Sequence, residues 1–494
     1  MNLLTAPWIP VLLPNGERAK LRLQDIPASQ ALAIAHPRAD FSALILELVI
    51  DLFQTVASPA NELKVDELFE GLPPSFENAL VAWEPAFELF GDNPFMQMPP
   101  ANPERGPAGS LLYEAPGDQT LKLRKDFFVK FADSLTLCPH CAPVALYLNQ
   151  AHARAGGNGY FTGPRTGSAL TALVQGASLW ETICLNLLPE SWFDQNIGQP
   201  ISGVAPDLLP WRNQLGLMTE GAVRPATDFG RYGVLWWSPR AIELFPQPNT
   251  AGRPCDACGE VHADHVVEAS MGAIKARLVS GTRHPRTAWL PARGEHGRAL
   301  DVPPAGFTAE SWLTLLLAEQ VENALPAYAA LTGSMRETAQ LRCFGYSLDN
   351  SSPRVWLDEV TPIVLPESPE HRALMREKLL PLVQVVGKMA DALGKALSNP
   401  KPNKVSSSNP IYPFVWSRNQ ARQTLWHQAR PLILDALKDT GPLTAETQEA
   451  FAQLGRGLVF KLFDQATAPL MTEPRFARLL INRKTKLIRA VSPK

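Results

Sequence analysis

Hydrophobic residues recur along this chain at two kinds of spacing, and the kind changes near residue 306. Before that point, short segments between prolines show helical spacing, as in residues 40–55 and 142–153, or short apolar runs typical of strands, as in residues 233–237 and 274–280. The sequence shows no regular alternation of strands and helices and no internal repeat. We therefore expect a large region that mixes helices and strands.

After about residue 306, apolar residues follow helical spacing almost throughout. Helices are predicted over residues 309–332, 370–397, 419–437, 444–464 and 474–490. A linker of prolines, serines and asparagines, residues 398–410, separates the second of these from the third. The predicted fold is α+β, with a mixed α/β domain over residues 1–365 that precedes a four-helix bundle over residues 366–494.

Charge is distributed unevenly between these two regions. Residues 371–494 carry 20 Lys and Arg against 8 Asp and Glu, a net +12, which leaves −14 for residues 1–370 because the whole chain has −2. A basic end behind an acidic body suggests a module that meets phosphate or an acidic partner. The alternative is that the two regions attract each other within one molecule.

Length and composition exclude several classes of protein. The 494 residues are 45% hydrophobic, which excludes a fully disordered chain, and six cysteines are too few for a small disulfide-stabilised scaffold. The first residues lack the basic start of a signal peptide, and the most apolar stretch, residues 41–57, contains two acidic residues. We expect a soluble, cytoplasmic protein with no membrane partner.

Two Cys-x-x-Cys motifs are the sharpest local signal. They are Cys138-Pro-His-Cys141 and Cys255-Asp-Ala-Cys258, and Gly259 follows the second, as suits a tight turn. Each pair supplies half of a tetrahedral thiolate shell, so the four cysteines are predicted to hold a structural Zn²⁺ that joins two distant segments.

Two other interpretations of the cysteines stay open at this point. The motifs can be unrelated thiol pairs, or Cys138 and Cys141 can form the redox pair of a thiol-disulfide oxidoreductase. Redox chemistry requires Cys138 at a helix N-terminus, where its pKa falls. No thioredoxin-like strand–helix pattern surrounds the pair, and the second motif has no role in such an enzyme.

Glycine is dense over residues 156–167, a segment that suits close approach of backbone to a ligand but matches no nucleotide-binding loop. No recognisable catalytic triad, His-Glu-x-x-His or Gly-x-Ser-x-Gly motif occurs. These observations favour a non-enzymatic binding protein, with a flexible loop as the alternative for the glycines.

Several strings, taken in order, resemble the CasA family, the large subunit of the type I-E CRISPR surveillance complex Cascade. Besides both cysteine motifs and the glycine segment, they are Asn2-Leu3-Leu4, Trp8-Ile9-Pro10-Val11, Asn93-Pro94-Phe95-Met96-Gln97, Phe128-Val129, Leu148-Asn149-Gln150, His284-Pro285 and Phe344-Gly345-Tyr346. The resemblance runs over nearly the whole chain, and the helical end matches as well.

The resemblance implies a non-catalytic subunit in antiviral defence. Members of this family bind other Cascade subunits around a guide RNA and recognise the PAM, a short motif on double-stranded target DNA. They then begin to open the duplex and help to recruit a helicase-nuclease. Two alternatives remain: a zinc-stabilised subunit that contacts only protein, and the oxidoreductase described above.

The family's DNA contacts can be carried over to matching positions of this sequence. The resemblance implies DNA binding by a loop before the first cysteine motif, the glycine segment, a basic finger and a duplex-splitting wedge, which correspond to Phe128, Val129, Lys130, Gly157, Asn158, Gly159, Lys275, Arg277, Asn350 and Ser351. Some members have a glutamine at the wedge, where this chain has Asn350 and Ser351. Core packing of Phe128 and an outward-pointing strand position for Lys275 are the alternatives.

The basic end would then contact DNA phosphates. Such contacts hold DNA in position without specifying its sequence. The residues predicted to make them are Lys401, Lys404, Arg418 and Arg422.

Overall fold

The structure, a computed structural model, describes most of the chain. The described residues are 1–116, 122–124, 135–156, 160–165, 167–200, 205–290, 298–302, 340–349, 351–362, 369–399, 414, 416–438, 441 and 443–492.

The chain divides into two compact units. The first holds the described residues up to Val302 together with residues 340–362, and the second holds the described residues from 369 onward. The boundary predicted at residue 365 falls within residues 363–368, outside the described residues, so the two domain ranges stay a prediction.

Helices of the first unit surround one long central helix, α1. Nearly every residue of α1 is buried, because it packs against helices α3, α4 and α5 and also contacts strands. The helices are α1 (Ala39–Ala57), α2 (Glu62–Glu70), α3 (Phe76–Trp83), α4 (Ala142–Ala151), α5 (Leu179–Leu185), α6 (Glu190–Asn196), α7 (Leu215–Met218) and α8 (Gly233–Trp236). The helices predicted over residues 40–55 and 142–153 are thus confirmed.

Strands of the first unit form several small sheets. The strands are β1 (Ile9–Leu12), β2 (Arg18–Leu21), β3 (Ala33–Ile34), β4 (Arg105–Pro107), β5 (Thr171–Gln175), β6 (Val223–Arg224), β7 (Arg240–Pro248), β8 (Asp264–Ala273), β9 (Arg277–Leu278), β10 (Trp289–Leu290), β11 (Arg298–Ala299), β12 (Gln340–Asp349) and β13 (Ser352–Pro362). Their orders are β2-β1-β3, β13-β12-β5 and β4-β8-β7, with pairs β10-β11 and β6-β9. The β6-β9 pair is parallel, and the other pairs are antiparallel.

One predicted strand is wrong and a second is confirmed only in part. Residues 233–236 form the helix α8, which is buried on all sides, so its apolar run has no helical periodicity to detect. A Cβ on Gly233 would lie 2.0 Å from the carbonyl oxygen of Ala226, and the Trp236 indole donates to Thr55 Oγ1 at 2.9 Å. Of residues 274–280, Arg277 and Leu278 form the short strand β9. The longer strand of this region, β8, ends at Ala273, just before the predicted range.

Four helices make up most of the second unit. They are α9 (Pro369–Ala396), α10 (Arg418–Lys438), α11 (Ala445–Thr467) and α12 (Ala477–Val491), and α9 contacts each of the other three. These match the last four predicted helices, with a short 3₁₀ turn at Pro474–Phe476 before α12. The helix predicted over residues 309–332 lies outside the described residues. The chain therefore has the mixed helix and strand content and the helical end that the sequence predicts.

Among the helices of the described residues, none alone has the length and apolar character needed to cross a bilayer. Helices α1 and α2 satisfy both criteria only when taken together, and they meet at a bend of 113°.

Candidate metal centre and nucleic-acid interface

The two Cys-x-x-Cys motifs converge on one point. The four sulfur atoms of Cys138, Cys141, Cys255 and Cys258 all lie within 4.8 Å of one another, and the first three residues are buried. The Sγ atoms of Cys138 and Cys258 are 3.7 Å apart. Four sulfurs around one zinc at the usual Zn–S distance stand about 3.8 Å from each other. The residues present therefore fit a tetrahedral metal ion, and the interpretation as two unrelated thiol pairs is wrong.

Local backbone geometry builds each half of this centre. Cys141 caps the N-terminus of α4, and its amide donates to the Cys138 carbonyl at 3.1 Å, which turns both thiols to one side. The second pair lies in a tight turn, where the Gly259 amide donates to the Cys255 carbonyl at 2.7 Å. Gly259 has φ +79°, a left-handed conformation that favours glycine.

The two halves are also joined by hydrogen bonds outside the sulfurs. The Thr136 amide donates to Asp256 Oδ2 at 2.6 Å, and the Asp256 amide donates to the Thr136 carbonyl at 3.0 Å. The Cys138 amide donates to the Cys255 sulfur at 3.3 Å. Amides that point at a sulfur stabilise its thiolate form, as a metal site requires.

Electrostatics shows why the four thiols suit a cation. Hydrogen bonding with the Cys138 thiol lowers the pKa values of both Cys255 and Cys258, whereas a hydrogen bond with Cys138 raises the pKa of Cys141. Without a positive ion, the crowded thiols ionise unequally. A bound dication removes this conflict, because it favours the thiolate at every ligand. A thiol-disulfide enzyme would have no use for this four-sulfur arrangement.

The glycine segment of residues 156–167 is anchored on both sides. Gly157, Asn158 and Gly159 lie outside the described residues, but the residues before and after them are described. Before the glycines, the Arg154 guanidinium lies 4.7 Å above the Tyr113 ring. The backbone carbonyl of Arg154 accepts a hydrogen bond from the Arg240 guanidinium. After Gly157–Gly159, the Phe161 backbone carbonyl also accepts from the Arg240 guanidinium, at 2.6 Å.

The basic finger predicted from the resemblance lies beside this segment. The Arg277 guanidinium is 4.1 Å from the centre of the Phe161 ring, and the side chain is exposed. Lys275 is 45% exposed and lies 3.8 Å from the still more exposed Glu220. Stacking on Phe161 therefore orients Arg277, whereas Lys275 is held, among the described residues, by a weak surface ion pair.

The predicted wedge begins on the same side of the first unit. Ser351 forms the turn between β12 and β13 with φ +64°, and its carbonyl accepts from Arg154 at 3.4 Å. Asn350 lies outside the described residues. Arg154 and the Arg277–Phe161 contact thus bring the wedge turn and the finger close to the residues that precede and follow Gly157–Gly159.

A buried group of charges supports the far end of the glycine segment. Arg165 pairs with Glu47 of α1 and also contacts His152 at 3.0 Å and His284 at 2.8 Å, all with side chains that are almost wholly buried. Burial would raise the pKa of Glu47, but Arg165 and His152 hold that pKa well below its ordinary value. Burial lowers the pKa of His284 well below its ordinary value, and Arg165 adds to that effect. The resulting cluster is a fixed ionic anchor.

Sequence reasoning missed Arg154, Arg165, Arg240 and Glu47. One signal could have found the anchor: Glu47 stands in the apolar run of α1, and a charge in such a run requires a buried partner. Nothing in the local pattern distinguishes Arg240 from other strand arginines.

The other predicted contacts are placed as follows. Arg418 and Arg422 lie in the first turns of α10, and both approach Asp391 of α9, at 3.8 Å and 2.7 Å. The remaining predicted DNA-binding residues lie outside the described residues; these are Phe128, Val129, Lys130, Lys401 and Lys404.

The fold and these sites define an α+β protein with a four-cysteine centre of the kind that holds structural metal. Comparison with known proteins narrows this class. The model of the family described as CRISPR-associated protein Cse1 matches residues 2–461, so the chain belongs to that family. The resemblance to CasA proteins, the large subunits of type I-E Cascade, is thereby confirmed.

Solved structures share the fold. CasA from Thermus thermophilus is 18% identical, with 99% of each chain covered and a TM-score of 0.63. Cse1 from Thermobifida fusca is 18% identical, with 99% of this chain and 98% of that chain covered and a TM-score of 0.62. A chain of a CRISPR RNA-guided surveillance complex is 16% identical, with 99% of each chain covered and a TM-score of 0.65. At these identities the likeness establishes the fold.

Proposed function

We propose that this protein is the non-catalytic large subunit of a cytoplasmic, RNA-guided CRISPR surveillance complex. In this role it recognises the PAM on double-stranded DNA, begins to open the duplex and helps to recruit the helicase-nuclease. The observation that carries the proposal is the Cse1 family match over residues 2–461. One of the similar structures is a chain of an RNA-guided surveillance complex, which supports other Cascade subunits and guide RNA as partners.

The arrangement of the first unit supports DNA binding. We call Arg154 and the Tyr160–Phe161 pair, which precede and follow Gly157–Gly159, the two stems of the glycine segment. Arg154 contacts the Ser351 turn, and Phe161 contacts the exposed Arg277. A glycine backbone suits the narrow minor groove, where the pattern of donors and acceptors is degenerate and tolerant recognition follows. Arg277 and Lys275 supply positive charge for nearby phosphates.

Zinc is the proposed occupant of the cysteine centre. Four thiolates are the ligand set of structural zinc sites, and the absence of an open ligand position suits a structural role. Cys138, Cys141, Cys255 and Cys258 would hold the ion, which would join the N-terminus of α4 to the turn before β8. The ion would act as a structural cross-link between these two segments and would take no part in catalysis.

The second unit is proposed to be a basic four-helix bundle that contacts DNA phosphates. Arg418 and Arg422 converge on one carboxylate, that of Asp391, so together they leave a net positive charge. Their guanidinium groups stay partly exposed, which allows phosphate to compete with Asp391.

The test is electrophoretic binding of duplex DNA that carries a PAM library to the guide complex, with and without this chain. We expect PAM-dependent binding to require the chain. Gly159→Asp and the pair Asn350→Ala/Ser351→Ala should lower PAM-dependent binding about tenfold, since one good groove contact contributes about 1–3 kcal/mol.

Two further variants separate contact types. Lys275→Ala should weaken binding to all duplexes alike, as loss of a phosphate contact does. Lys64→Ala, an exposed lysine of α2 that pairs with Glu67, is the matched control and should bind like the unaltered chain.

The second candidate is a zinc-stabilised subunit that contacts only protein. It is favoured by the cysteine centre, which joins protein segments and needs no DNA. Equal PAM-dependent binding with and without the chain would support this candidate and reject the first.

A further inference from the structure

Arg240, the first residue of β7, is a buried cation whose hydrogen bonds go to backbone. The residue is 4% exposed. In the described part of the chain its guanidinium donates to three carbonyl oxygens: those of Phe161 at 2.6 Å, Pro239 at 2.9 Å and Arg154. No carboxylate among the described residues shares an ion pair with it. The arginine is thus held by neutral acceptors alone.

Two of these acceptors lie on opposite sides of the glycines. Arg154 precedes Gly157–Gly159 and Phe161 follows them, so one guanidinium ties together two stems seven positions apart. The Arg240 Cζ also lies 4.9 Å from the centre of the Tyr160 ring, and the Tyr160 hydroxyl donates to the Met271 carbonyl at 3.4 Å. The second stem is therefore held against both β7 and β8.

Packing brings the ends of the longer segment together as well. Gly167 has φ +80°, and a Cβ there would lie 2.6 Å from the Cα of Arg154. Gln150 of α4 fixes Arg240 itself, because its amide side chain accepts from the Arg240 amide and donates to the Arg240 carbonyl, both at 3.0 Å. Arg240 is thus held through its backbone as well as through its guanidinium.

The energetics argue against a role in stability alone. Burial disfavours the charged guanidinium and lowers the pKa of Arg240 to about 10. Burying a charge that has no carboxylate partner among the described residues is costly, and the hydrogen bonds to the backbone carbonyls offset that cost. What an apolar side chain cannot supply is donors for the Arg154 and Phe161 carbonyls.

We propose that Arg240 is a positioning residue that sets the selectivity for PAM-bearing DNA by fixing the two stems of the glycine segment. This inference rests on the proposed function, because it assumes that the segment meets DNA. Arg240 touches no nucleotide in this scheme. It acts through backbone carbonyls and lowers the ordering cost when the segment binds.

The experiment uses the full chain within the guide complex and compares Arg240→Met with the unaltered protein. Met keeps much of the length and apolar contact of arginine but has no donors. We expect faster amide hydrogen exchange in peptides that span residues 154–163. The ratio of binding to PAM-bearing over PAM-less duplex should fall about ten- to a hundredfold, the cost typical of a misplaced group.

Affinity for PAM-less duplex is the readout that separates the two roles. If Arg240 only stabilised the fold, Arg240→Met would lower affinity for PAM-less duplex as well as for PAM-bearing duplex. We expect affinity for PAM-less duplex to change less than about twofold, since phosphate contacts carry non-specific binding. Arg105→Met is the matched control: its guanidinium lies 3.7 Å over the Phe245 ring in the same sheet and makes no contact with the glycine segment among the described residues. It should change neither exchange nor ratio.

If Arg240→Met does not fold, Tyr160→Leu provides a milder variant, because it removes the ring beneath the guanidinium and the hydroxyl bond to Met271. Unchanged exchange, or faster exchange with an unchanged ratio, would overturn the proposal. Gly159→Asp separates this proposal from the assignment of the DNA contact to the glycines: if that variant leaves the ratio intact while Arg240→Met lowers it, Arg240 sets selectivity through the residues at Arg154 and Phe161, and the contact at Gly159 is rejected.

Discussion

The cysteine centre and the buried charge cluster around Arg165 each join segments far apart in the sequence, but by different means. Cys138 and Cys255 are 117 positions apart, and Glu47 and Arg165 are 118 apart. The first contact uses four like groups whose mutual repulsion needs an external cation. The second contains its own cation and is complete within the chain.

The two sites differ in whether their cation can dissociate from the protein. A metal ion can leave, and the four thiols can then take up protons. The guanidinium of Arg165 is covalently part of the chain and cannot dissociate, and its removal by mutation leaves the buried Glu47 carboxylate with His152 as its remaining charged or polar partner among the described residues. The two regions therefore differ in how they respond to mutation, chelation and pH.

The largest effect is expected for Arg165→Met. Loss of the arginine leaves Glu47 buried with only the His152 contact among the described residues, and breaking a buried ion pair in this way costs about 3–5 kcal/mol of unfolding free energy. Denaturant unfolding measures it. The double variant Arg165→Met/Glu47→Gln should recover a substantial part of the loss, and equal losses in the single and double variants would contradict the ionic interpretation.

Metal removal is expected to have the next largest effect. A ligand present at a hundred times its dissociation constant stabilises the native state by about 2.7 kcal/mol. Cys258→Ser, or a strong chelator, should release about one zinc per chain and lower the thermal midpoint. Cys184→Ser, at a buried cysteine outside the centre, is the control and should keep its zinc. Retention of a full zinc content by Cys258→Ser would refute the four-cysteine assignment.

Acid titration should distinguish Glu47 from Asp51, two of the three carboxylates of α1. Burial raises the pKa of Asp51 from 3.8 to about 6, although Arg286 opposes the shift. The folded protein therefore holds this proton in a range where the unfolded chain has released it. Stability from this group is complete below about pH 4 and is lost as the pH rises through about 6.

Unfolding measurements between pH 4 and pH 7 test this sign. Asp51→Asn should abolish that part of the pH dependence, whereas the lowered pKa of Glu47 gives stability that is lost as the pH falls. Asp207→Asn, at the exposed ion pair with Arg212, is the control. Parallel pH profiles for Asp51→Asn and the unaltered chain would show that the carboxyl is not responsible.

The smallest effect is expected at the edge of the cysteine centre. Lys20 of β2 pairs with Glu260 and contacts His140 Nδ1 at 3.0 Å, and its side chain is partly exposed. Lys20→Met should cost less than about 1 kcal/mol, since solvent already screens the pair. A loss comparable with that of Arg165→Met would mean that this outer contact is as important as the buried one.

Much of the fold follows from local patterns. Helical spacing placed α1, α4 and the four helices of the second unit within a few residues of their observed bounds. The same reasoning failed at residues 233–236, because a segment buried on all sides has no polar face from which to infer its period. The spacing of the two cysteine motifs predicted the centre, since each pair is a local unit with recognisable ligand geometry.

The interface was predictable only in part. Resemblance pointed to Arg277 and Ser351, and the structure places both next to the stems of the glycine segment. Arg418 and Arg422 were expected to face phosphate, and the structure adds Asp391 as their shared partner. Arg240 gave no signal, because its partners are carbonyl oxygens that every residue has.

The amino-acid sequence by itself determined α1, α4, the four helices of the second unit, the two thiol pairs, the basic end and the family, because each is a property of neighbouring residues or of their order. Tertiary structure alone decided that Glu47 meets Arg165 and that Arg240 joins the carbonyls of Arg154 and Phe161. Such contacts depend on which distant segments pack together. A charged residue within an apolar run shows from sequence alone that a buried partner is required. Which residue is that partner depends on the packing of the core.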